Sequence, residues 1–208
     1  MQHDGYVQYG CGLCAPASWL NFDASPTLRL QRLPLIGSLF GHSTKFPPLA
    51  RFGDVVKGLP IETDSCQALY CSHVLEHLSL ADLRTALRNT LSYLKPGGVF
   101  RFVLPDLQQL ATDYLASAEK QPAVWFMEAA HLGYPQRPRG FIGAMREWLG
   151  NSRHLWMWDE RSMTEELRSA GFVEIRRAHC GDSGDPRFND VEDPDRWVKC
   201  LGMQCLKR

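Results

Sequence analysis

The chain has 208 residues and a mass of 23.6 kDa, with 44% hydrophobic and 22% charged residues. Lys and Arg together number 23, as do Asp and Glu, so the formal net charge is zero and a surface built for nucleic acid is not expected. No apolar run approaches the roughly 20 residues that span a bilayer, and a domain of this length can bury a full core. Met1–Gly5 lacks the basic and apolar regions of a signal peptide, so the sequence predicts a cytoplasmic protein with no membrane partner.

Seven cysteines, an odd number, are scattered along the chain, which is typical of reduced, buried thiols in the cytoplasm. Cys11 and Cys14 form a C-x-x-C pair, which has two alternative uses: a redox pair, or half of a zinc site with Cys200 and Cys205. No His or Cys pair of firm zinc-finger spacing supports the zinc site, so no metal is predicted. Four cysteines fall in segments that we interpret as strands: Cys11, Cys71, Cys180 and Cys205.

The first two predicted strands lie unusually close together in the sequence. Tyr6–Tyr9 predicts a short strand that runs into Gly10–Gly12, and Trp19–Asp23 predicts a second strand. Only Leu13–Ser18 separate the two, and Pro16 lies within that link. A parallel crossover normally takes a dozen or more residues and usually contains a helix. The sequence therefore predicts that this first helix is missing.

The segment that follows is rich in proline. Residues 24–50 contain four prolines, which exclude a long helix but allow short turns around Leu28–Leu33 and Leu35–Phe40. Arg51–Val56 predicts a third strand. Because a missing helix leaves part of one sheet face bare, and apolar faces must be covered, we expect either Leu28–Phe40 or a second subunit of a homodimer to cover it.

The clearest unit in the sequence is a strand, a helix and a second strand. Gln67–Ser72 is a short apolar run, and Ser79 has the form of a helix N-cap with an acidic residue three positions on. Lys95–Gly98 ends the helix, and Val99–Leu104 predicts a strand parallel to the first. Leucines at steps of three and four mark the apolar face of the helix: Leu80, Leu83, Leu87, Leu91 and Leu94.

The C-terminal part repeats this pattern with a different connection. Asp159 is suited to cap a helix, and Gly171 is suited to end it. Phe172–Cys180 and Lys199–Lys207 predict the last two strands, joined by the turn-rich acidic stretch Gly181–Arg196. The order helix, strand, long loop, strand favours antiparallel pairing of these two strands.

Three features predict a ligand site at the carboxyl ends of the strands, where open parallel sheets bind their ligands. Gly10 and Gly12 follow the first strand, Asp23 closes the second, and Asp54 lies near the end of the third. A carboxylate at the second strand can accept both hydroxyls of a ribose, and one at the third can accept an adenine amino group. A dinucleotide is disfavoured, because Pro16 denies the helix whose N-terminus would hold a pyrophosphate.

The successive motifs of the chain resemble those of class I S-adenosylmethionine-dependent methyltransferases, of the type 11-like kind. The short link between the first two strands resembles a smaller branch of that superfamily. The motifs, which cover nearly the whole chain, are Tyr9–Gly12, Trp19–Pro26, Gly53–Pro60, Tyr70–His77, Leu94–Gly98 and Val103–Asp106.

The resemblance implies an α/β fold, a Rossmann-like three-layer sandwich with a mostly parallel seven-stranded sheet and an antiparallel last strand. It implies a single domain over residues 1–208, in which about 107–158 form an insertion or lid on the side of the methyl acceptor. The cofactor would be S-adenosylmethionine, converted to S-adenosylhomocysteine. The residues implied to bind it are Tyr9, Gly10, Cys11, Gly12, Asn21, Asp23, Ala24, Asp54, Val55, Ser72, His73 and His77.

An oxygen or nitrogen acceptor needs a base nearby, and His73, His154 and Asp106 are the candidates. The acceptor itself is predicted to be a small molecule, anionic or a saccharide. Between His131 and Leu155 four arginines face one glutamate, a local balance of +3, whereas Gly181–Arg196 carries −4. The four arginines are Arg137, Arg139, Arg146 and Arg153.

Simpler interpretations remain open beside this one. Charge runs are usually solvated loops, and Asp106 equally suits a helix N-cap. Two alternative functions are a binding protein of the same fold without catalysis and a nicotinamide-dependent reductase.

Overall fold

The fold is organised around one seven-stranded sheet, seen in a computed structural model that describes residues 4–32, 45–134, 136 and 153–208. The strands are β1 (Tyr6–Tyr9), β2 (Leu20–Asp23), β3 (Ala50–Phe52), β4 (Cys66–Ser72), β5 (Leu94–Pro105), β6 (Phe172–Ala178) and β7 (Cys200–Lys207). Their order across the sheet is β3-β2-β1-β4-β5-β7-β6. The first five strands pair in parallel, and β7 is antiparallel to both β5 and β6. The predicted mixed, Rossmann-like sheet is confirmed.

The described helices mostly follow the predicted signals. They are α1 (Pro26–Gln31), α2 (Leu80–Tyr93), α3 (Leu107–Leu115), α4 (Pro122–Ala129) and α5 (Glu160–Ala170), with 3₁₀ turns at Leu75–His77, Pro186–Asp190 and Pro194–Trp197. Ser79 caps α2, Asp159 caps α5, and Gly171 ends α5 in the left-handed conformation, as the sequence predicted. None of the helices in the described ranges has the length and apolarity needed to cross a membrane.

One face of the sheet carries the main core. Leu83 and Leu87 of α2 and Met163 and Leu167 of α5 are fully buried there, against side chains of the central strands such as Phe100. Apolar burial of this kind contributes about 25 cal/mol per Å² and supplies most of the driving force for packing. The leucine pattern of the sequence correctly identified the buried face of α2, except that Leu94 begins β5 and is not part of the helix.

The link between β1 and β2 contains no helix, as predicted. The side-chain amide of Asn21 instead donates hydrogen bonds to the backbone carbonyl groups of Pro16 and Trp19. The side-chain amide of Gln8 donates to the backbone carbonyl of Cys14. The link is too short for regular structure, and buried backbone carbonyl groups need hydrogen-bond donors. The side chains of Gln8 and Asn21 supply these donors.

Residues 181–197, which we call the cover segment, lie over the sheet face that the missing helix leaves bare. Phe188 packs edge-on against Trp19 and Tyr70, with ring centroids 5.4 and 6.2 Å away. Trp19 donates a hydrogen bond to the Arg187 carbonyl, and Ser18 donates one to Asp190. The link and the cover segment are thus joined directly.

Around Trp19 and Tyr70 the cover segment occupies this face, so the prediction that Leu28–Phe40 or a second subunit covers it is wrong for that part. Leu28 is buried in a separate small cluster with Cys11 and Ala50, and residues 33–44, which include the predicted turn at Leu35–Phe40, lie outside the described residues. The bare-face argument for a homodimer no longer holds, since the chain covers the face itself. The prediction that the acidic stretch is only a solvated loop is also wrong, because Phe188 and Trp197 are buried.

Arg101 of β5, with none of its surface exposed, holds the cover segment in place. Its guanidinium donates to Glu192 at 2.5 Å, to Asp182 at 2.8 Å and to Gln204 at 3.0 Å, and it also donates to the His179 carbonyl. A buried arginine is tolerated only when such partners offset its lost hydration.

The remaining groups of this network complete the pairing. The Trp197 ring lies 4.7 Å from the Arg101 guanidinium carbon, a cation–π distance. Burial alone would raise the pKa of Asp182, but hydrogen bonds from Arg176 and Arg101 lower it to about 2. Three acidic residues of the predicted charged run therefore make specific contacts. Asp182 and Glu192 pair with Arg101, and Asp190 accepts a hydrogen bond from Ser18.

The cysteines are all free thiols. Cys71 and Cys205 lie in strands as predicted, but Cys11 and Cys180 follow the ends of β1 and β6. The predicted third strand is also shorter than expected, since β3 ends at Phe52.

Replacing Arg101 with methionine should lower the free energy of unfolding by about 3–5 kcal/mol, because Glu192 would then be buried without its counter-charge. Chemical denaturation measures this, and adding Glu192→Gln should recover part of the loss. Arg168→Met is the matched control: it removes an arginine from an exposed ion pair with Glu165 and should cost less than about 1 kcal/mol. Equal stability of Arg101→Met and the unsubstituted protein would contradict this role.

Candidate functional site

The loops after β1, β2 and β4 meet at one edge of the sheet because these strands are parallel neighbours. Gly10 has a φ of +67°, and a β-carbon placed there would lie 2.1 Å from the Cγ2 atom of Val74. Only glycine allows both the left-handed backbone and this close approach. Gly10 thereby brings the loop after β4, with Ser72 and His73, against the end of β1.

Asp23 ties the glycine loop to the end of β2. Its Oδ2 atom accepts a hydrogen bond from the Gly12 amide at 2.9 Å, and its Oδ1 atom accepts one from the Ser25 amide at 2.8 Å. Gly12 has a φ of +51°, and nothing lies within 4 Å of a β-carbon placed on it. Each carboxylate oxygen keeps a lone pair for a ligand, and the space in front of Gly12 is open. These residues fit the ribose and methionine parts of an adenosyl ligand.

Asp54 and Val55 follow β3 on the same side of the sheet. Asp54 accepts a hydrogen bond from the Val56 amide at 3.0 Å and lies 3.4 Å from the ammonium of Lys57. Val55 is buried in the main core, and its carbonyl accepts from Asn89 of α2 at 2.7 Å. α2 therefore fixes the turn that presents the Asp54 carboxylate.

Three residues predicted to bind the cofactor have side chains engaged elsewhere. The Tyr9 ring stacks on Phe100 in the main core, and the Asn21 amide is used within the β1–β2 link. Cys11 is packed against Leu28, and its burial, with the nearby Asp23 carboxylate, raises the pKa of the thiol to about 12. Contact of these three with a ligand is therefore limited to the backbone. Ala24 is exposed beside Asp23.

The cover segment reaches the site through Arg196. Its guanidinium donates to the hydroxyl of Ser72 at 2.8 Å and to the Ser72 carbonyl at 3.1 Å. Its carbonyl oxygen lies 2.9 Å from Nε2 of His73. The positive charge of Arg196 also acts on the Cys14 thiol, whose pKa is raised chiefly by burial. Arg196 thus stands between the loop after β4 and the loop after β1, where no helix supplies positive charge.

His73 is held in a strained backbone conformation, with a φ of +53°. Burial would lower the pKa of its imidazole, but the hydrogen bond with Cys200 and the Glu76 carboxylate, whose Oε1 atom lies 3.2 Å from Nδ1, raise it to about 10. His73 is thereby a cation at neutral pH, which argues against its predicted role as a base.

A second group of side chains lies on the side of the His73 ring that faces away from Arg196. It consists of Glu76, His77 and His154, and we call it the Glu76 cluster. Oε1 of Glu76 is 4.0 Å from Nε2 of His77 and 3.9 Å from Nε2 of His154. The other ring nitrogen of His77, Nδ1, lies 2.8 Å from the Arg153 carbonyl. Burial lowers the pKa of His154, so its imidazole is neutral at neutral pH.

The backbone of Glu76 places His154. Its carbonyl accepts hydrogen bonds from the amides of Leu155 at 2.7 Å and Trp156 at 3.1 Å. The same segment continues to Trp158, whose carbonyl accepts from Leu107. Residues distant in sequence are in this way held at the carboxyl ends of β4 and β5.

Asp106, the third candidate base, has a structural role. Its Oδ1 atom caps α3 by accepting from the amides of Gln108 and Gln109, and its Oδ2 atom accepts from Arg177 at 2.8 Å. The ion pair with Arg177 occupies the second oxygen of this buried side chain, which leaves Asp106 a poor base.

Sequence analysis named neither Arg196 nor Glu76 as a site residue. Arg196 ends an acidic run that looked solvated, and no local signal relates it to Ser72. Of the four arginines predicted to receive an anionic acceptor, Arg137, Arg139 and Arg146 lie outside the described residues, as does most of the second half of the predicted lid, residues 135 and 137–152. Arg153 is described, and its guanidinium carbon lies 3.4 Å from the Tyr134 ring centroid.

Comparison with known proteins identifies the family and supports the fold. A family model described as a methyltransferase domain matches residues 22–176. A chain of the complex that contains the Haloferax volcanii Trm112 methyltransferase activator has a TM-score of 0.51 at 16% identity, covering 98% of this chain and 82% of that one. The CMeT domain of the citrinin polyketide synthase has a TM-score of 0.50 at 14% identity, covering 97% of this chain and 45% of that one. Such low identities concern the fold alone, and no curated protein matches significantly.

Gly10→Ala should destabilise the protein, by about 1–2 kcal/mol from the left-handed backbone and by more from the clash with Val74. In the double variant Gly10→Ala/Val74→Ala the clash is removed. The double variant should therefore be more stable than the sum of the single changes by about 1 kcal/mol or more. Denaturant unfolding of all four proteins measures this coupling, and strictly additive changes would show that Gly10 and Val74 are not in contact.

Proposed function

The chain belongs to the methyltransferase domain family, and we propose that it transfers a methyl group from S-adenosylmethionine to a small acceptor that is anionic or a saccharide. The observation that carries the proposal is the Asp23 carboxylate hydrogen-bonded to the amide of Gly12, beside the open space in front of that glycine. This pairs an acceptor for ribose hydroxyls with backbone that a ligand can approach closely.

The nucleoside would be held between two carboxylates. Asp23 would accept hydrogen bonds from the ribose, and Asp54, in the turn fixed by Asn89 and the Val55 carbonyl, would accept from the adenine amino group. Both turns are held by backbone hydrogen bonds before any ligand arrives. Such preorganisation lowers the entropic cost of binding.

The methionine end of the cofactor would meet Arg196. In a fold with a first helix, the N-terminus of that helix offers positive charge to an anion. Here the link between β1 and β2 has no helix, and the guanidinium of Arg196 lies between Ser72 and Cys14. We assign it the methionine carboxylate, because arginine recognises carboxylates through paired hydrogen bonds.

When bound, the cofactor supplies an electrophilic methyl group on its sulfonium. The part of the protein is alignment: Gly10 and Val74 hold the loop after β4 at the methyl side, and the Glu76 backbone brings His154 to the acceptor side. Trp156, which is exposed, and Arg153 adjoin this side and are suited to contact an acceptor with negative charge or a sugar ring. Residues 107–158 as an acceptor-side lid, and residues 1–208 as a single domain, stay predictions.

Conversion of S-adenosylmethionine to S-adenosylhomocysteine, followed with panels of phosphorylated sugars, carboxylates and uncharged analogues, tests the proposal. Methylation of a charged acceptor that weakens steeply with added salt supports it. Cofactor binding with no turnover in any panel or in cell extract would favour the alternative of a non-catalytic binding protein. Thermal stabilisation by NAD alone would favour the reductase instead.

Asp23→Asn should weaken the binding of S-adenosylmethionine and of 5′-methylthioadenosine alike, each by about 10-fold or more, because both ligands carry the ribose. Calorimetric titration measures both affinities, with circular dichroism as the check on folding. Asp64→Asn is the matched control, since it removes a surface carboxylate that pairs with Lys207 near the opposite edge of the sheet. Unchanged affinity in Asp23→Asn would remove the ribose role.

Arg196→Gln should weaken the binding of S-adenosylmethionine by about 10-fold or more, since a charge-assisted hydrogen bond is lost. It should leave 5′-methylthioadenosine nearly unaffected, because that ligand has the nucleoside and sulfur but no carboxylate. The same titrations measure both. An equal loss for the two ligands would mean that Arg196 acts only by holding Ser72, and no loss for either would contradict the assignment.

A further inference from the structure

The side chain of Glu76 is the least explained charged group in the described structure. None of the residue is exposed, and neither carboxylate oxygen has a hydrogen-bond partner among the described residues. The imidazolium of His73, whose Nδ1 atom lies 3.2 Å from Oε1, forms an ion pair with the carboxylate, but the hydrogen-bonding capacity of both oxygens stays unused among the described residues. A buried carboxylate without hydrogen bonds is costly, and such a group calls for a ligand or an ion.

Two imidazoles face the same oxygen of Glu76. Nδ1 of His77 lies 2.8 Å from the Arg153 carbonyl, which can only accept, so Nδ1 is the donor there and Nε2 is the ring nitrogen left to bind an ion. That Nε2 atom is 4.0 Å from Oε1 of Glu76, too far for a hydrogen bond. Nε2 of His154 is 3.9 Å from the same oxygen, while its Nδ1 is buried and unpartnered within the described ranges.

We propose that the Glu76 cluster binds a divalent transition-metal ion, with Zn²⁺ as the reference ion, through Glu76, His77 and His154. One ligand atom from each residue lies within 4.8 Å of the others. Zinc is bound at about 2.0–2.2 Å by His nitrogen and carboxylate oxygen, which sets ligand atoms roughly 3–4 Å apart. Small side-chain rotations therefore bring the three groups to one ion.

The donor set also selects the class of ion. Two imidazoles and one carboxylate suit Zn²⁺, Fe²⁺, Co²⁺ or Mn²⁺, whereas Ca²⁺ and Mg²⁺ take mostly oxygen ligands. The hydrogen bond from His77 to the Arg153 carbonyl is the outer contact that orients a metal-bound histidine. The sequence predicted no metal, because Glu76 and His77 are adjacent and His154 is far along the chain, a spacing that matches no familiar site.

Its position gives the ion a role that rests on the proposed function. The cluster lies between the loop after β4 and the segment that starts at Arg153, on the side assigned to the acceptor. Three protein ligands leave at least one position open. An oxygen or nitrogen of the acceptor at that position would be held beside the cofactor pocket, and coordination would lower its pKa.

Metal-free protein, prepared with a chelator and containing neither cofactor nor acceptor, tests the binding itself. Titration with Co²⁺ should give one site per chain, with visible d–d absorption and no intense thiolate charge-transfer band. Zn²⁺ should then displace the Co²⁺. Loss of a residue that only hydrogen-bonds to a metal ligand typically weakens metal binding by about 10–100-fold. Glu76 and His154 are proposed as direct ligands, so Glu76→Gln and His154→Ala should each weaken binding by about 100-fold or more.

His179→Ala is the matched control, since its exposed side chain lies outside the cluster, and its affinity should be unchanged. Circular dichroism and melting temperature identify variants that fail to fold, and Glu76→Gln preserves side-chain volume for that reason. No stoichiometric binding, a thiolate band, or equal binding by Glu76→Gln would each overturn the proposal. Because the titration needs no turnover, its result is independent of whether methyl transfer is found.

Discussion

The structure depends on one buried charge, the guanidinium of Arg101 in the centre of the sheet. Its bonds to Asp182 and Glu192 fasten the cover segment to the sheet face that the helix-free link between β1 and β2 leaves bare. The cost of desolvating an arginine is offset only because all of these partners are present together. The link between β1 and β2 is too short to cover this sheet face, and the connection between β6 and β7 covers it instead.

This arrangement couples the interior of the fold to its functional edge. The segment that Arg101 holds ends at Arg196, which binds Ser72 at the carboxyl end of β4. A shortened first crossover removes a helix that would both cover the sheet and offer positive charge to a ligand. The cover segment provides both: Phe188 and Trp197 cover the sheet, and Arg196 supplies positive charge at the carboxyl ends of the strands.

Sequence patterns over a few residues correctly predicted the features that depend on neighbouring residues. The caps at Ser79 and Asp159 and the leucine face of α2 follow from spacings of a few residues, and the antiparallel last strand follows from the order of the predicted elements; these predictions were correct. Asp23 was placed beside Gly12 because consecutive parallel strands end at the same edge. The contacts of Phe188 with Trp19, of Arg196 with Ser72 and of Glu76 with His154 join residues far apart in the chain. No periodicity encodes such pairs, and an acidic run looks the same whether it is solvated or bound to a buried arginine.

Hydrogen–deuterium exchange of the full chain, with and without S-adenosylmethionine, tests most directly whether the cover segment is part of the cofactor site. We expect the cofactor to slow exchange at Gly10–Ser25 and also at residues 193–197, which lie in the connection between β6 and β7. Protection confined to the first of these segments and to the loops after β3 and β4, with residues 193–197 unchanged, would contradict it.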